Sequence, residues 1–208
     1  MTVPPTARTP SPTPVLRDDD PQRVRLEADG WTVVARSWGA VLTADDVDVS
    51  RLRDAVTAVG PDLAVRPLTA DDVEDALALD AATLDDHPGG PATAHLPLTP
   101  STARPTDVRR GYGAFDGGEL VAMTFVDRDG RTAETDFTVV APVWRERAVA
   151  TAVKAASVLG LLGDGVRRFR TGGATENEAI LRANARLGYV VDEQWLTYAP
   201  PEAAPCAP

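Results

Sequence analysis

Between residues 110 and 198 the hydrophobic pattern changes period twice, which restricts the chain to a sheet with helices packed on it. Arg110 to Phe115, Leu120 to Asp127 and Thr132 to Ala141 alternate with the period of a strand, and Asp116-Gly117-Gly118 and Asp129-Gly130 between them are tight-turn sequences. Trp144 to Gly163 is then a mostly apolar run of helical length, stopped by Gly163-Asp164-Gly165. Val166 to Thr171 reads as a strand, Asn177 to Leu187 as a helix ended by Gly188, and Tyr189 to Tyr198 as a final strand. Thr175 and Glu178, three apart, are spaced for a capping box at the start of that helix. Antiparallel strands followed by helix, strand, helix and strand predict a mixed α/β (α+β) fold.

Upstream, Leu63 to Leu68 is a short strand, and Thr69 caps a helix running to about Leu84 with Val73, Ala76 and Leu77 on its apolar stripe. Asp85 to Thr106 holds five prolines and two glycines and reads as a long loop, the kind that carries function or disorder. Nearer the N-terminus, Val24, Leu26, Trp31, Val33, Val34 and Trp38 alternate around Asp29-Gly30, which predicts a hairpin over Arg23 to Leu42. An amphipathic helix follows from Asp48 to Val56 and ends near Gly60-Pro61. The expected organisation is a disordered Pro-rich tail (1–14), a hairpin-helix extension (15–62), a main domain (63–198) and a second disordered tail (199–208).

With 43% hydrophobic and 25% charged residues, 208 residues suit one globular domain with appendages. A formal charge of -10 disfavours nucleic acid as a partner, since neutralising phosphates takes Lys and Arg. The longest apolar stretch, Ala148 to Leu162, is interrupted by Thr151, Lys154, Ser157 and Gly160, so no membrane span is expected. The N-terminus lacks the apolar core of a secretion signal, which makes the cytoplasm the expected location. A single cysteine, Cys206, and two histidines, His87 and His95, suggest neither a disulfide nor a metal centre. Arginine carries the positive charge and Lys154 is the only lysine, which reads as a compositional trait.

Val139 to Ala150 is an apolar strand, a Pro-containing loop with two arginines, and a helix of small residues. The unpaired N–H groups of a helix N-terminus make such a turn a potential pyrophosphate cradle. The segment resembles the GNAT (Gcn5-related N-acetyltransferase) superfamily, whose acetyl-CoA loop follows the pattern Arg/Gln-x-x-Gly-x-Gly/Ala, here at Arg145, Ala148 and Ala150. Asn177 to Tyr189 is similar to that family's Asn-x-x-Ala…Leu-Gly-Phe signature. The resemblance covers 63–198 and is strongest over 134–191.

It implies a twisted mixed sheet in which two central parallel strands splay to admit acetyl-CoA as co-substrate, with a small-molecule or peptide amine as acceptor. Pantetheine would lie along Phe137, Thr138, Val139 and Val140, and the pyrophosphate would meet Arg145, Glu146, Arg147, Ala148, Val149 and Ala150, with Asn177 and Asn184 facing the cofactor. Glu134 stands six residues before Val140, the spacing of the base in the histone-acetylating branch, and Asp136 would be its helper or an anchor for the amine. Strand alternation predicts Glu134, Asp136 and Thr138 on one face. Ala148 replaces a customary glycine, and the negative φ expected at a helix start makes it tolerable. Asn184 replaces the customary tyrosine acid, leaving Tyr112 and Tyr189 as alternatives. Asp85, Asp86, His87 and His95 would border the acceptor site, whereas Arg167, Arg168 and Arg170 read as a solvated face.

The alternative from another class is an acyl-CoA-binding module with a sensing or structural role. A third reading starts from an echo: Leu26 to Val34 and Asn184 to Val191 both place Gly-aromatic-x-Val after a turn or helix exit. A remnant of a second, fused copy would make residues 22–45 pair as extra strands on the sheet edge of this chain or of a homodimer partner.

Overall fold

A computed structural model describes residues 13–86 and 96–201. His87, His95 and Cys206 lie outside the described residues. Among the described residues eight strands form one sheet: β1 (Val15–Arg17), β2 (Thr32–Thr43), β3 (Leu63–Pro67), β4 (Arg109–Asp116), β5 (Glu119–Asp129), β6 (Thr132–Val140), β7 (Arg168–Ala174) and β8 (Val190–Ala199). The helices are α1 (Gln22–Ala28), α2 (Val49–Thr57), α3 (Val73–Thr83), α4 (Val149–Gly163) and α5 (Glu178–Leu187). The strand order is β1-β8-β2-β7-β6-β5-β4-β3. Every adjacent pair is antiparallel except β6 and β7.

The sheet carries a core on each face. On one side α3 covers Phe115, Met123, Phe125, Phe137 and Val139. On the other, α4 buries Val149, Val153, Ala155, Val158 and Leu161 against the sheet, with α2 and α5 beside it. Helix α4 is buried nearly all round because it is flanked by both the sheet and two helices, which its apolar sequence requires.

The helix after β3 starts as expected at Thr69, which forms a full capping box with Asp72. Asp72 is also held by Arg66 at 2.7 Å, and that guanidinium keeps the carboxyl well below the usual carboxylate range. In α5 the cap differs from expectation: the side chain of Asn177, not Thr175, accepts the N–H of Ile180 at 3.2 Å.

The expected N-terminal hairpin is a helix and a strand. Residues 22–28 form α1, and Gly30, at φ +83°, ends it. The N–H of Gly30 bonds Glu27 O and that of Trp31 bonds Leu26 O, the paired 5→2 and 6→1 bonds of a Schellman turn. Gly188, at φ +97°, closes α5 in the same way, with Gly188 N–H to Ala185 O and Tyr189 N–H to Asn184 O. The echo in sequence is thus a shared helix-to-strand exit.

Nor does the N-terminal segment lie only at the edge. Strand β2 runs through the interior, paired to β8 on one side and β7 on the other, and only the three residues of β1 form an edge. The sheet does not divide at residue 62.

Candidate active-site cleft

The parallel pairing of β6 and β7 lasts only from Thr132–Arg168 to Glu134–Arg170. Beyond it the strands part, and two continuous openings share Thr138, Asn177 and Ile180. One, of about 550 Å³, lies between β6 and α5 at the N-terminus of α4; the other, of about 590 Å³, lies at the fork itself.

The first opening collects most of the residues expected around a cofactor: Thr138, Val139, Val140, Arg145, Glu146, Ala148, Val149, Ala150 and Asn177. Helix α4 makes its first bond from Ala152 N–H to Ala148 O, so the N–H groups of Val149, Ala150 and Thr151 have no partner within the helix. They give this end the partial positive charge that suits a phosphate. Arg145 stands beside them, its Nε donating to Val140 O and its Nη2 paired with Asp86. Asp86, expected to border the acceptor site, therefore lies at the α4 end of the cleft. Arg182 and Arg186, one turn apart on α5, add positive charge on the facing wall; sequence reading missed them although their i, i+4 spacing follows from the helix.

Three expectations fail here. Arg147 does not line the opening and instead lies over the Trp144 ring, 5.1 Å from its centroid. Ala148 has φ +60°, and Glu146 φ +63°, so the alanine occupies the left-handed conformation that favours glycine, at a cost of about 1 kcal/mol. The cradle turns before the helix begins, and a helix-start φ does not apply. Asn184 is only 1% exposed and reaches neither opening; both its side-chain polar atoms lack partners. Each such orphan costs on the order of 1–3 kcal/mol.

The second opening is walled by β2, β6, β7, α4 and the segment 96–102. A bulge in β6 sets its shape. Phe137 faces Phe125 and Thr135 faces Val126, leaving Asp136 as the extra residue. The alternation breaks, so Glu134 opposes Asp127 on the α3 side, and Thr138 opposes Thr124 on the α4 side, their hydroxyls 2.8 Å apart. Glu134 and Thr138 are not on one face. Asp136 binds Arg109 at 2.7 Å, and Arg109 also grips both oxygens of Asp127 at 2.8 Å, bonds Thr102 O, and lies over the Phe125 ring. The Glu134 side chain is exposed, and its carboxylate makes no hydrogen bond or ion pair among the described residues.

Trp38 forms the far wall, its Nε1 donating to Ala174 O at 3.2 Å. It fits because Gly172 and Gly173 carry no side chain: a Cβ on Gly172 would sit 2.9 Å from Trp38 O. The floor is Lys154, 1% exposed, whose Nζ donates to Thr171 Oγ1 at 3.1 Å and Thr135 Oγ1 at 3.3 Å. Burial with no carboxylate nearby pushes its ammonium down to about 7. The lone lysine is thus part of the cleft. Burial also raises the hydroxyls of Tyr112 and Tyr189; the first packs against Gly160 and the second lies in the core, so neither meets the openings. Arg170, expected on a solvated face, is 14% exposed and paired to Asp192 and Glu193.

Among the described residues no three His, Cys, Asp or Glu side chains are grouped to hold a metal ion, and no helix is long and apolar enough to cross a membrane.

No family model matches the sequence, and no curated protein matches it. Solved structures do. A GCN5-related N-acetyltransferase from Sphaerobacter thermophilus superposes with a TM-score of 0.64 at 16% identity, over 88% of this chain and 57% of that one. A GCN5-related N-acetyltransferase-like protein from Streptococcus suis gives 0.61 at 15% identity, over 88% and 70%. A tandem GNAT protein from the clavulanic acid biosynthesis pathway gives 0.64 at 23% identity, over 89% and 62%. The chain thus spans 57% to 70% of the length of these three. The forked sheet, its covering helices and these superpositions establish that the chain has the GNAT fold.

Proposed function

We propose that the protein is an N-acetyltransferase that takes an acetyl group from acetyl-CoA and delivers it to a primary amine of a small molecule or peptide. The observation that carries this reading is the fork: a strand edge freed from pairing after Glu134 leads directly to an unpaired helix N-terminus flanked by Arg145, Arg182 and Arg186. A long, polar-tipped arm ending in a diphosphate matches that slot in shape and charge. Backbone of Phe137 to Val140 would hold the arm, and Val149, Ala150 and Thr151 N–H the diphosphate. An alkyl ammonium with a pKa of about 10 must lose a proton before it attacks. Glu134, unpaired at the lip of the fork, is the carboxylate free to receive it, whereas Asp136 is already neutralised by Arg109.

Calorimetry with CoA and thiol release from acetyl-CoA across polyamines, aminoglycosides, amino acids and peptides test this reading. CoA binds, and the double change Arg182→Gln/Arg186→Gln weakens it by about tenfold, ~1.4 kcal/mol, most at low salt. Glu134→Gln lowers turnover while CoA affinity stays as it was. No CoA binding at millimolar ligand refutes the proposal. A second reading, an acyl-CoA-binding module without turnover, draws support from the cleft side of α5, where Ala179, Ile180, Arg182, Ala183 and Arg186 offer no tyrosine to protonate a departing thiolate. Binding without thiol release for any amine would favour it.

A further inference from the structure

Lys154 is the one buried cationic side chain in the cleft, and nothing in the proposed transfer uses it. Its Nζ lies between Thr135 on β6 and Thr171 on β7, one residue past the last parallel pair, Glu134 and Arg170. That is the apex of the fork. No ion pair to it exists among the described residues; its other neighbour is the Tyr189 ring, 5.9 Å from Nζ to the centroid. An ammonium in such a place is costly, so the side chain spends much of its time as a neutral amine, the nucleophilic form.

The position along the slot also matters. From Val140, beside the α4 N-terminus, to Thr135 the strand advances past Ala122 to Val126 of β5, with Asp136 taken up in the bulge, which is about 13 Å at ~3.3 Å per residue. An extended pantetheine arm held at its diphosphate by α4 has a comparable length, so its thioester arrives at the apex. The amine that waits there is the chain's own.

Resting on the acetyl-CoA reading above, we propose that Lys154 is an internal acyl acceptor, acetylated on Nζ by bound acetyl-CoA when no external amine occupies the cleft. The Nζ lone pair forms a bond to the thioester carbon, the carbon–sulfur bond breaks, and the proton released by nitrogen goes to the departing thiolate. The products are N-acetyl-Lys154 and free CoA. The modified side chain is neutral and bulkier, filling the apex where an amine substrate would be presented, so the same step makes acyl donor in the absence of acceptor an inhibitory signal.

The experiment uses the full chain incubated with acetyl-CoA and no amine, followed by intact mass and peptide mapping, with CoA binding measured in parallel. The expected result is one acetyl increment mapped to Lys154, suppressed by excess CoA, faster as pH rises through about 7, and absent from Lys154→Arg and Lys154→Met. Because there is no other lysine, any remaining increment in those variants maps to a different nucleophile, such as the Cys206 thiol, whose acetyl group hydroxylamine strips while an amide-bound acetyl stays in place. CoA binding with Lys154 unmodified overturns the inference while leaving the proposed function intact. So does equal labelling of Lys154 by a small acetyl thioester lacking the nucleotide. Failure to bind CoA sinks both together.

Discussion

The two halves of the cleft share Thr138, Asn177 and Ile180 but are built on opposite plans. The half proposed to hold phosphate is basic and rests on backbone: three N–H groups without a partner in the helix, with Arg145, Arg182 and Arg186 around them. The fork end is acidic at its lip and sealed below, with Glu134 and Asp136 approaching from the α3 side and Lys154 from the α4 side. One half needs a local loop and two helices. The other needs five separate elements to meet, and it tolerates less disturbance.

The largest test removes residues 1–47, taking away β1, α1 and β2 with Trp38. The expectation is loss of the folded state, since β7 and β8 have no contact partner between them without β2; a soluble monomer that still binds CoA would show that the phosphate half stands alone. Next in size is Lys154→Met. Below pH 7 the folded and unfolded chains both carry the lysine proton, so the burial cost is felt in full. Between about 7 and the ordinary value of 10.5 the unfolded chain holds more proton than the folded one, and the parent's stability climbs with pH. Lys154→Met should therefore be more stable at neutral pH, by about 3 kcal/mol, and its advantage should shrink across that window in urea titrations. A pH-independent difference would mean the amine is not buried as a neutral group.

Gly172→Ala follows, with a Cβ set against Trp38 O; the strand must shift, costing about 2 kcal/mol in the fork half, read from the denaturation midpoint. The smallest effect belongs to the phosphate half. Ala148→Gly relieves the left-handed alanine and gains up to about 1 kcal/mol. If the midpoint falls instead, the cradle does not need that conformation.

The same contrast explains what could be read from the sequence. The phosphate half is contiguous, so Arg145, Ala148, Ala150 and Asn177 stood out by spacing, and the strand-helix succession from 110 to 198 gave the architecture. The exception is local: the spacing places a helix start at Ala148, where the loop still turns. The fork half resisted because its contacts join residues far apart in the chain. Nothing in Glu134-Thr-Asp-Phe-Thr138 signals a bulge, and a lone lysine in an apolar helix looks like an interruption until the parting strands are seen around it. At the N-terminus, α1 buries no residue, so it has no apolar stripe, and Val24 and Leu26, two apart, read as strand alternation.

Strand β2 has a consequence for the order in which the protein is made. Its partners β7 and β8 begin at Arg168 and Val190, so a strand synthesised early has nothing to pair with until more than a hundred further residues have been made. At 5–20 residues per second the wait is on the order of ten seconds. For that interval twelve residues including Trp38, Val41 and Leu42 leave the ribosome as an open edge, the kind of template that recruits other chains. Closing of the sheet therefore waits on β7 and β8, and the cleft, which takes its far wall from β2, cannot form before it.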